Sequence, residues 1–349
     1  MPIFDQGYQH WQGELSGHAW RWLTITSQGV RTGLRSRWVR LASLAALVPA
    51  LSLAAFLLLW GLAEQRVNQG ILQNIGLLPP GIQNAPKEFR VPIWTLAYHY
   101  FFSHAQLYFC MFLVLLVGPS LISQDLRFNA IPLYFSRPLR RFDYFVGKLG
   151  VIGVFLGSVA ILPAVIAYAL GVAFSLDFSV VKDTIWILGA SIVYGLVIVL
   201  SAGTLMLAIS SLSRNSRYVG FTWVGLCIIS FVVAQILVDT VRKDWCPAVS
   251  YVANLRRVGD TLLQTDWAFA RIQESLRGVM PNAGGAPMPP MAKGRPTPTP
   301  PQPPRPTGAP SQREEPTPPW YLSAGILAGL FGLSLWTLTF RVRSLDRLR

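Results

Sequence analysis

Charge is what this sequence has least of. Asp, Glu, Lys and Arg make up 13% of the 349 residues, about half the quarter that a soluble domain carries. With 52% hydrophobic residues and a mean hydropathy of +0.41, too little polar surface is left to coat a globule in water. An ordinary cytosolic enzyme is excluded. Cysteine is scarce too: Cys110, Cys227 and Cys246 cannot make a disulfide framework, the first two lie inside apolar runs, and no CxxC or Cys/His cluster offers a metal site. Catalytic signatures are missing. There is no GxxxxGK[ST] phosphate loop, no GxSxG elbow and no HExxH, so no enzyme activity, cofactor or metal is expected on this chain. No cleavable leader is expected either, because residues 1–40 are polar and rich in Trp and Arg and the first apolar stretch begins at Leu41.

Acidic residues are the scarcer sign, 16 against 30 Lys and Arg, for a formal charge of +14. In a soluble protein that excess would raise the question of nucleic acid. Here the charges sit in short segments between long apolar runs, which makes a lipid bilayer the partner and nucleic acid the least favoured one. A spanning helix needs roughly 20 mostly apolar residues. Six stretches qualify: 41–62, 105–123, 147–174, 184–212, 218–238 and 320–340. None carries Asp, Glu, Lys or Arg well inside it, and Pro49, Pro119 and Pro163 mark expected kinks or breaks. The fold class expected is all-α, a polytopic membrane protein of six spans.

Orientation follows from the basic flanks. Arg21, Arg31, Arg35, Arg37 and Arg40 precede the first run. Arg127, Arg137, Arg140, Arg141 and Lys148 lie between the second and third, Arg214 and Arg217 between the fourth and fifth, and Arg341, Arg343, Arg347 and Arg349 close the chain. The alternate segments 63–104 and 175–183 are poorer in Lys and Arg. Both termini are therefore expected in the cytoplasm. The segment 239–319 is basic, but long loops escape the rule.

Four blocks follow. Residues 1–40 form a cytoplasmic N-terminus with an amphipathic elbow over 17–40, whose Leu23, Val30, Leu34, Trp38 and Leu41 recur at helical spacing while Arg21, Arg31 and Arg35 fall elsewhere. The competing reading is an extension of the first span. Residues 41–238 hold spans one to five, with a cytoplasmic loop over 124–146. Residues 239–319 lie outside, with one amphipathic helix over 249–279 packed at the outer mouth and a Pro-rich linker from Pro281 to Pro319. Residues 320–349 are the sixth span and a basic tail. His99 and His104, in AYHYFFSHAQ, read as an aromatic belt with polar tips rather than a metal pair. Gly147, Gly150, Gly153 and Gly157, with Gly325 and Gly329, permit close helix contacts. No carboxylate lies at membrane depth, which argues against ion coupling.

The densest polar cluster is LISQDLRFNAIPLYFSRPLRRFDYFVGK, Leu121–Lys148. Gln124 and Asp125 are placed to cap a short helix under the membrane, with Arg127 near its start and Phe128 toward the bundle. A rigid element carrying both charge signs suits a cytosolic partner; the plainer reading makes its basic residues positive-inside anchors. The Gln124-Asp125 step followed by LYFSRPLRRFDYFVGK resembles the signature loop of type-2 ABC permeases, the membrane subunits of bacterial ATP-driven exporters. The opening PIFDQGYQHWQGELSG (Pro2–Gly17) and the Arg/Trp-rich elbow are similar to the start of one bacterial branch of that family; the Pro-rich tract departs from its pattern. The resemblance implies a permease of the bacterial cytoplasmic membrane, paired with a second permease copy or paralogue. It also implies a cytosolic ABC ATPase that holds the ATP and Mg. The coupling contacts it implies fall on Asp125, Leu126, Arg127, Arg137, Pro138, Arg140, Arg141 and Asp143, with Ser213, Arg214 and Asn215 as a secondary contact. Arg31, Arg35 and Trp38 of the elbow would meet lipid or the ATPase. A secondary transporter and a non-transporting scaffold are the alternatives. In a background lacking the three native cysteines, Arg140→Cys is expected to react with an impermeant thiol reagent only from the cytosolic side. Labelling in intact cells would invert the topology.

Overall fold

This computed structural model describes residues 20–64, 89–130, 141–175, 179–279 and 317–346; among them every regular element is helical and no strand occurs. The solvent dictates this, because in a bilayer each backbone N–H and C=O must find its partner within the segment. Six helical runs are long and apolar enough to cross: Arg37–Leu62, Arg90–Arg127, Phe142–Ser175, Ser179–Leu212, Ser216–Thr240 and Trp320–Arg341. The protein is an all-α, multi-pass membrane protein. The six crossings among the described residues put the start of span 1 and the end of span 6 on one face, called here the terminal face; the opposite one is the distal face.

Spans 1 to 3 are built from shorter helices. An elbow, α1 (Arg21–Arg35), precedes span 1, which joins α2 (Arg37–Ala45) to α3 (Leu47–Glu64). Span 2 runs through α4 (Arg90–Tyr100), a π turn (Phe101–Gln106), α5 (Leu107–Val117) and α6 (Pro119–Arg127). Span 3 contains α7 (Arg141–Leu156), a second π turn (Gly157–Ile161) and α8 (Leu162–Ser175). Spans 4 and 5 are the single helices α9 (Ser179–Leu212) and α10 (Ser216–Thr240). A 3-10 turn (Cys246–Val249), α11 (Tyr251–Leu262) and α12 (Thr265–Val279) follow, and α13 (Trp320–Asp346) carries span 6. Five spans start within about five residues of the apolar runs in the sequence. Span 2 starts at Arg90, not near 105, because the aromatic stretch before it is helical and buries Tyr98, Phe101 and Phe102 in the bundle.

All of these breaks but the π turn Phe101–Gln106 fall beside prolines. Span 1 kinks at Ala46, three residues before Pro49; α6 begins with Pro119 at its first position, just after the turn at Gly118; and the second π turn immediately precedes Pro163. Pro163 has no N–H to offer the carbonyl four residues back. That carbonyl, on Val159, accepts instead from Nε2 of the fully buried Gln106 at 2.7 Å, so the π turns of spans 2 and 3 are joined. One turn further on, Tyr98 Oη donates to the Ala164 carbonyl at 2.8 Å.

The elbow is separated from span 1 by Ser36, whose backbone is extended, so it is not a continuation of that span. Thr26 donates to the Gly147 carbonyl at 3.0 Å; Gly150 lies under Thr26, and Gly29 and Gly33 face Val151 and Phe155. The glycines at the start of span 3 thus admit the elbow rather than another span. Leu23, Leu34 and Trp38 point away from the bundle, as an interfacial helix requires.

The expected single helix over 249–279 is two helices. Gln264, with φ +54, breaks it. After span 5 the chain turns at Arg242, also left-handed, and goes back into the bundle. The Tyr251 N–H meets Ser230 Oγ at 3.4 Å and its hydroxyl lies 2.9 Å from Ser201 Oγ. Ser230 is ten residues, about 15 Å, inside the distal end of α10, and Ser201 is eleven residues, about 16 Å, from the terminal end of α9. Helix α11 therefore begins within the crossing region and rises toward the distal face, packed against spans 4, 5 and 6. Irregular backbone at that depth is tolerated only where protein buries it: Ser250 Oγ accepts the Ala253 N–H at 3.3 Å, and Asn254 Nδ2 donates to the Ala248 carbonyl at 2.6 Å. Gly259 lies flat on the buried Tyr194 ring, where a Cβ would come within 2.6 Å of Cε1. Gly259→Ala is expected to cost about 1–3 kcal/mol, the range for overpacking a filled core, read as a lower midpoint in thermal unfolding. Gly325→Ala, whose Cβ meets nothing within 4 Å, should leave the midpoint unchanged.

Candidate functional site

Charged side chains collect in two places, one near each face. On the terminal face the local structure begins with serines. Ser210 of span 4 accepts the N–H groups of Ile122 and Ser123 at 3.2 and 3.0 Å and donates to the Pro119 carbonyl at 3.0 Å. Ser123 bonds the same carbonyl and lies 2.9 Å from Ser216 Oγ at the start of span 5. Helix α6 is thereby stitched to the turn between spans 4 and 5.

Asp125 faces span 3 from this fixed helix. Tyr144 Oη donates to its Oδ2 at 2.7 Å, and Lys148 Nζ lies 2.7 Å from the same oxygen while also sitting 5.4 Å from the Tyr144 ring centre. The Asp125 and Lys148 side chains are only 14% and 11% exposed, so this pair is weakly screened. Asp125 and Gln124 occupy the last turn of α6 rather than capping a new helix, because Pro119 has already started one and the Asp125 carboxylate is engaged. Asn129, at φ +51, ends the turn, and Phe128 is exposed rather than facing the bundle.

Arg127 lies over the Phe128 ring, 5.6 Å from its centre. With Arg214, Asn215 and Arg217 it lines a cavity of about 460 Å³. Ser213 Oγ accepts the Asn215 N–H and Asn215 Oδ1 accepts the Arg217 N–H, both at 3.1 Å, which caps span 5. The structure thus brings Arg127 and Arg214 to one cavity, with Asp125 on the same short helix as Arg127. Leu126 packs half-buried against the core, and Asp143 is half-buried in the first turn of α7. Arg31 and Arg35 of the elbow are exposed, as is Trp38, which belongs to the first turn of span 1 and not to the elbow. Arg137, Pro138, Arg140 and the Arg141 side chain lie outside the described residues, as does the Pro-rich tract up to residue 316.

Toward the distal face the charges come from spans 2 and 4 and from the re-entrant helix. Arg90, 2% exposed, lies 3.0 Å from both Asp183 Oδ2 and Ser179 Oγ and ties the starts of spans 2 and 4 together. His99 Nδ1 is 2.9 Å from Asp260 Oδ1, and its ring meets His104 and Phe269 edge-on. Arg256 donates to the Ser103 carbonyl inside the π turn at 3.2 Å and to Tyr108 Oη at 2.9 Å. Between α11 and span 5 lies a cavity of about 860 Å³ whose charged lining is Arg242, Arg256 and Arg257 against Asp239, Asp244 and Asp260. Three cations and three anions suit a polar or zwitterionic occupant better than a bare ion. Among the described residues no three His, Cys, Asp or Glu side chains are grouped to hold a metal.

No protein-family model matches the chain, and no curated protein is significantly similar to it. The chemistry on view is that of binding and transmission: the two clusters hold ion pairs and hydroxyls, and the terminal one links four spans at a single corner.

Sequence reasoning missed Arg256 and Asp260 because charges at helical spacing read as a solvated face. The one local signal was Gly259, which lets that face approach a ring. Asp125→Asn removes the carboxylate shared by Tyr144 and Lys148. Its expected cost is about 3 kcal/mol, at the low end for one partner of a largely buried pair. Asp125→Leu combined with Lys148→Met should recover most of the loss in thermal unfolding, since an apolar replacement of both partners is near neutral.

Proposed function

We propose that this chain is the membrane-spanning permease subunit of an ATP-driven exporter, working with a separate cytosolic ATPase and a second permease. The observation that carries the reading is the terminal-face corner. A force applied at loop 124–146 reaches span 3 through Asp125, Tyr144 and Lys148, and reaches spans 4 and 5 through Ser210, Ser123 and Ser216. The last helix of span 2 thus grips three other spans, as a lever for rigid-body rearrangement needs. The missing phosphate loop agrees with energy supplied from outside the chain. The resemblance of Leu121–Lys148 to the permease loop gives the partner its class, an ATPase carrying ATP and Mg, and puts the terminal face in the bacterial cytoplasm. The distal cavity, with its balanced charges, is where a cargo with a polar head would pass.

The ion-coupled reading gains one observation of its own. The re-entrant helix sets Asp260 2.9 Å from His99 of span 2, a carboxylate–imidazole contact that the apolar runs alone do not contain. The two readings separate cleanly. The tagged chain is expected to co-purify a protein bearing GxxxxGK[ST] that hydrolyses ATP, and Arg137→Glu with Arg141→Glu should lower its recovery at least tenfold. Absence of such a partner, with transport abolished by collapsing the proton gradient, would overturn the exporter in favour of ion coupling.

A further inference from the structure

The cavity where span 2 ends beside the start of span 5 is lined by charges of one sign only. Its lining is three arginines and an asparagine, Arg127, Arg214, Arg217 and Asn215, without a carboxylate. None of the three guanidiniums forms an ion pair with another described residue. The carboxylate closest in sequence, Asp125, is held by Lys148 and Tyr144. Like charges left to themselves would move apart, but the serine stitching of Ser123, Ser210 and Ser216 fixes the backbone that carries them. The N-terminus of the 25-residue span 5, opening at the Asn215 cap, adds positive potential of its own. A surface cavity whose charged lining is entirely cationic is a site for an anion.

The level of the cavity says which anion. Phe128, Leu212, Tyr218 and Phe221 surround this corner and are exposed by 55–74%; in a multi-pass protein such side chains face the bilayer edge, with aromatic rings at headgroup height. We propose that Arg127, Arg214 and Arg217 bind the phosphate of an anionic phospholipid headgroup. Guanidinium forks match phosphate oxygens two at a time, and basic pockets between spans are where such headgroups are held. Free inorganic phosphate shares the chemistry and is the other source to be tested. The inference goes beyond the exporter reading and gives to lipid two side chains, Arg127 and Arg214, that the permease resemblance gives to the ATPase; its test contains no ATPase, so its failure leaves the co-purification test of the exporter standing.

The full-length chain is placed in nanodiscs of equal phosphatidylglycerol and phosphatidylcholine, without any ATPase, and the lipid retained on release is counted by native mass spectrometry. The wild-type chain is expected to keep phosphatidylglycerol at least tenfold over phosphatidylcholine. R127Q/R214Q/R217Q should erase most of that excess, R127K/R214K/R217K should keep part of it, and millimolar inorganic phosphate should leave it unchanged. Displacement by inorganic phosphate would assign the site to the free ion and overturn the lipid. Equal retention of both lipids by the wild-type chain, or an undiminished excess in the glutamine variant, would overturn the site itself. If the triple variant does not fold, R217Q, at an exposed position, is read instead. A threefold or greater loss is expected, and no loss counts against the proposal.

Discussion

A carbonyl without its helical donor, inside a bilayer, is the constraint from which much of this structure follows. Pro163 creates such a group on Val159, and a side chain from the neighbouring span, Gln106, satisfies it. That exchange locks spans 2 and 3 together at the level of two π turns. The π turn of span 2 also carries the Ser103 carbonyl, which receives Arg256 from the re-entrant helix. Irregular backbone in one span thus recruits polar side chains from the next, which would have no reason to be at that depth otherwise.

The second organising fact is that charge appears near both ends of the crossing region and almost nowhere between. Near the terminal face Asp125 and Lys148 form a weakly screened pair beside an unbalanced arginine cavity; near the distal face three arginines and three aspartates line a larger one. Opposite charges in a poorly screened setting hold helices in register, whereas an unmatched cluster waits for a ligand. The two ends of the molecule are therefore different in kind.

Much of the fold could be read from apolar length alone. Spans 1, 3, 4, 5 and 6 fall where runs of about 20 apolar residues predict them, because length and charge-free composition are sufficient for crossing. Span 2 was misplaced at its start because His99, His104 and the aromatics around them look like an interfacial belt, whereas their helix continues and Phe101 and Phe102 are buried. The re-entrant helix could not be read: Arg256, Arg257 and Asp260 alternate with Leu255, Val258 and Leu262 just as on a surface helix, and only the position of Tyr194 and Ser201 tells which surface they cover. At the terminal face Asp125, Arg127 and Arg214 stood out because charge is rare. The attachment of Asp125 to Lys148 and Tyr144, and the serine stitching beneath it, depend on distances that spacing does not encode.

The depth of Tyr251 has a consequence for assembly. Helix α11 has 12 residues, too few to be released sideways into lipid as a crossing of its own, and it carries Arg256, Arg257 and Asp260. Its place at that depth therefore rests on the walls that spans 4, 5 and 6 supply and not on lipid, so the distal chamber exists only in the assembled bundle.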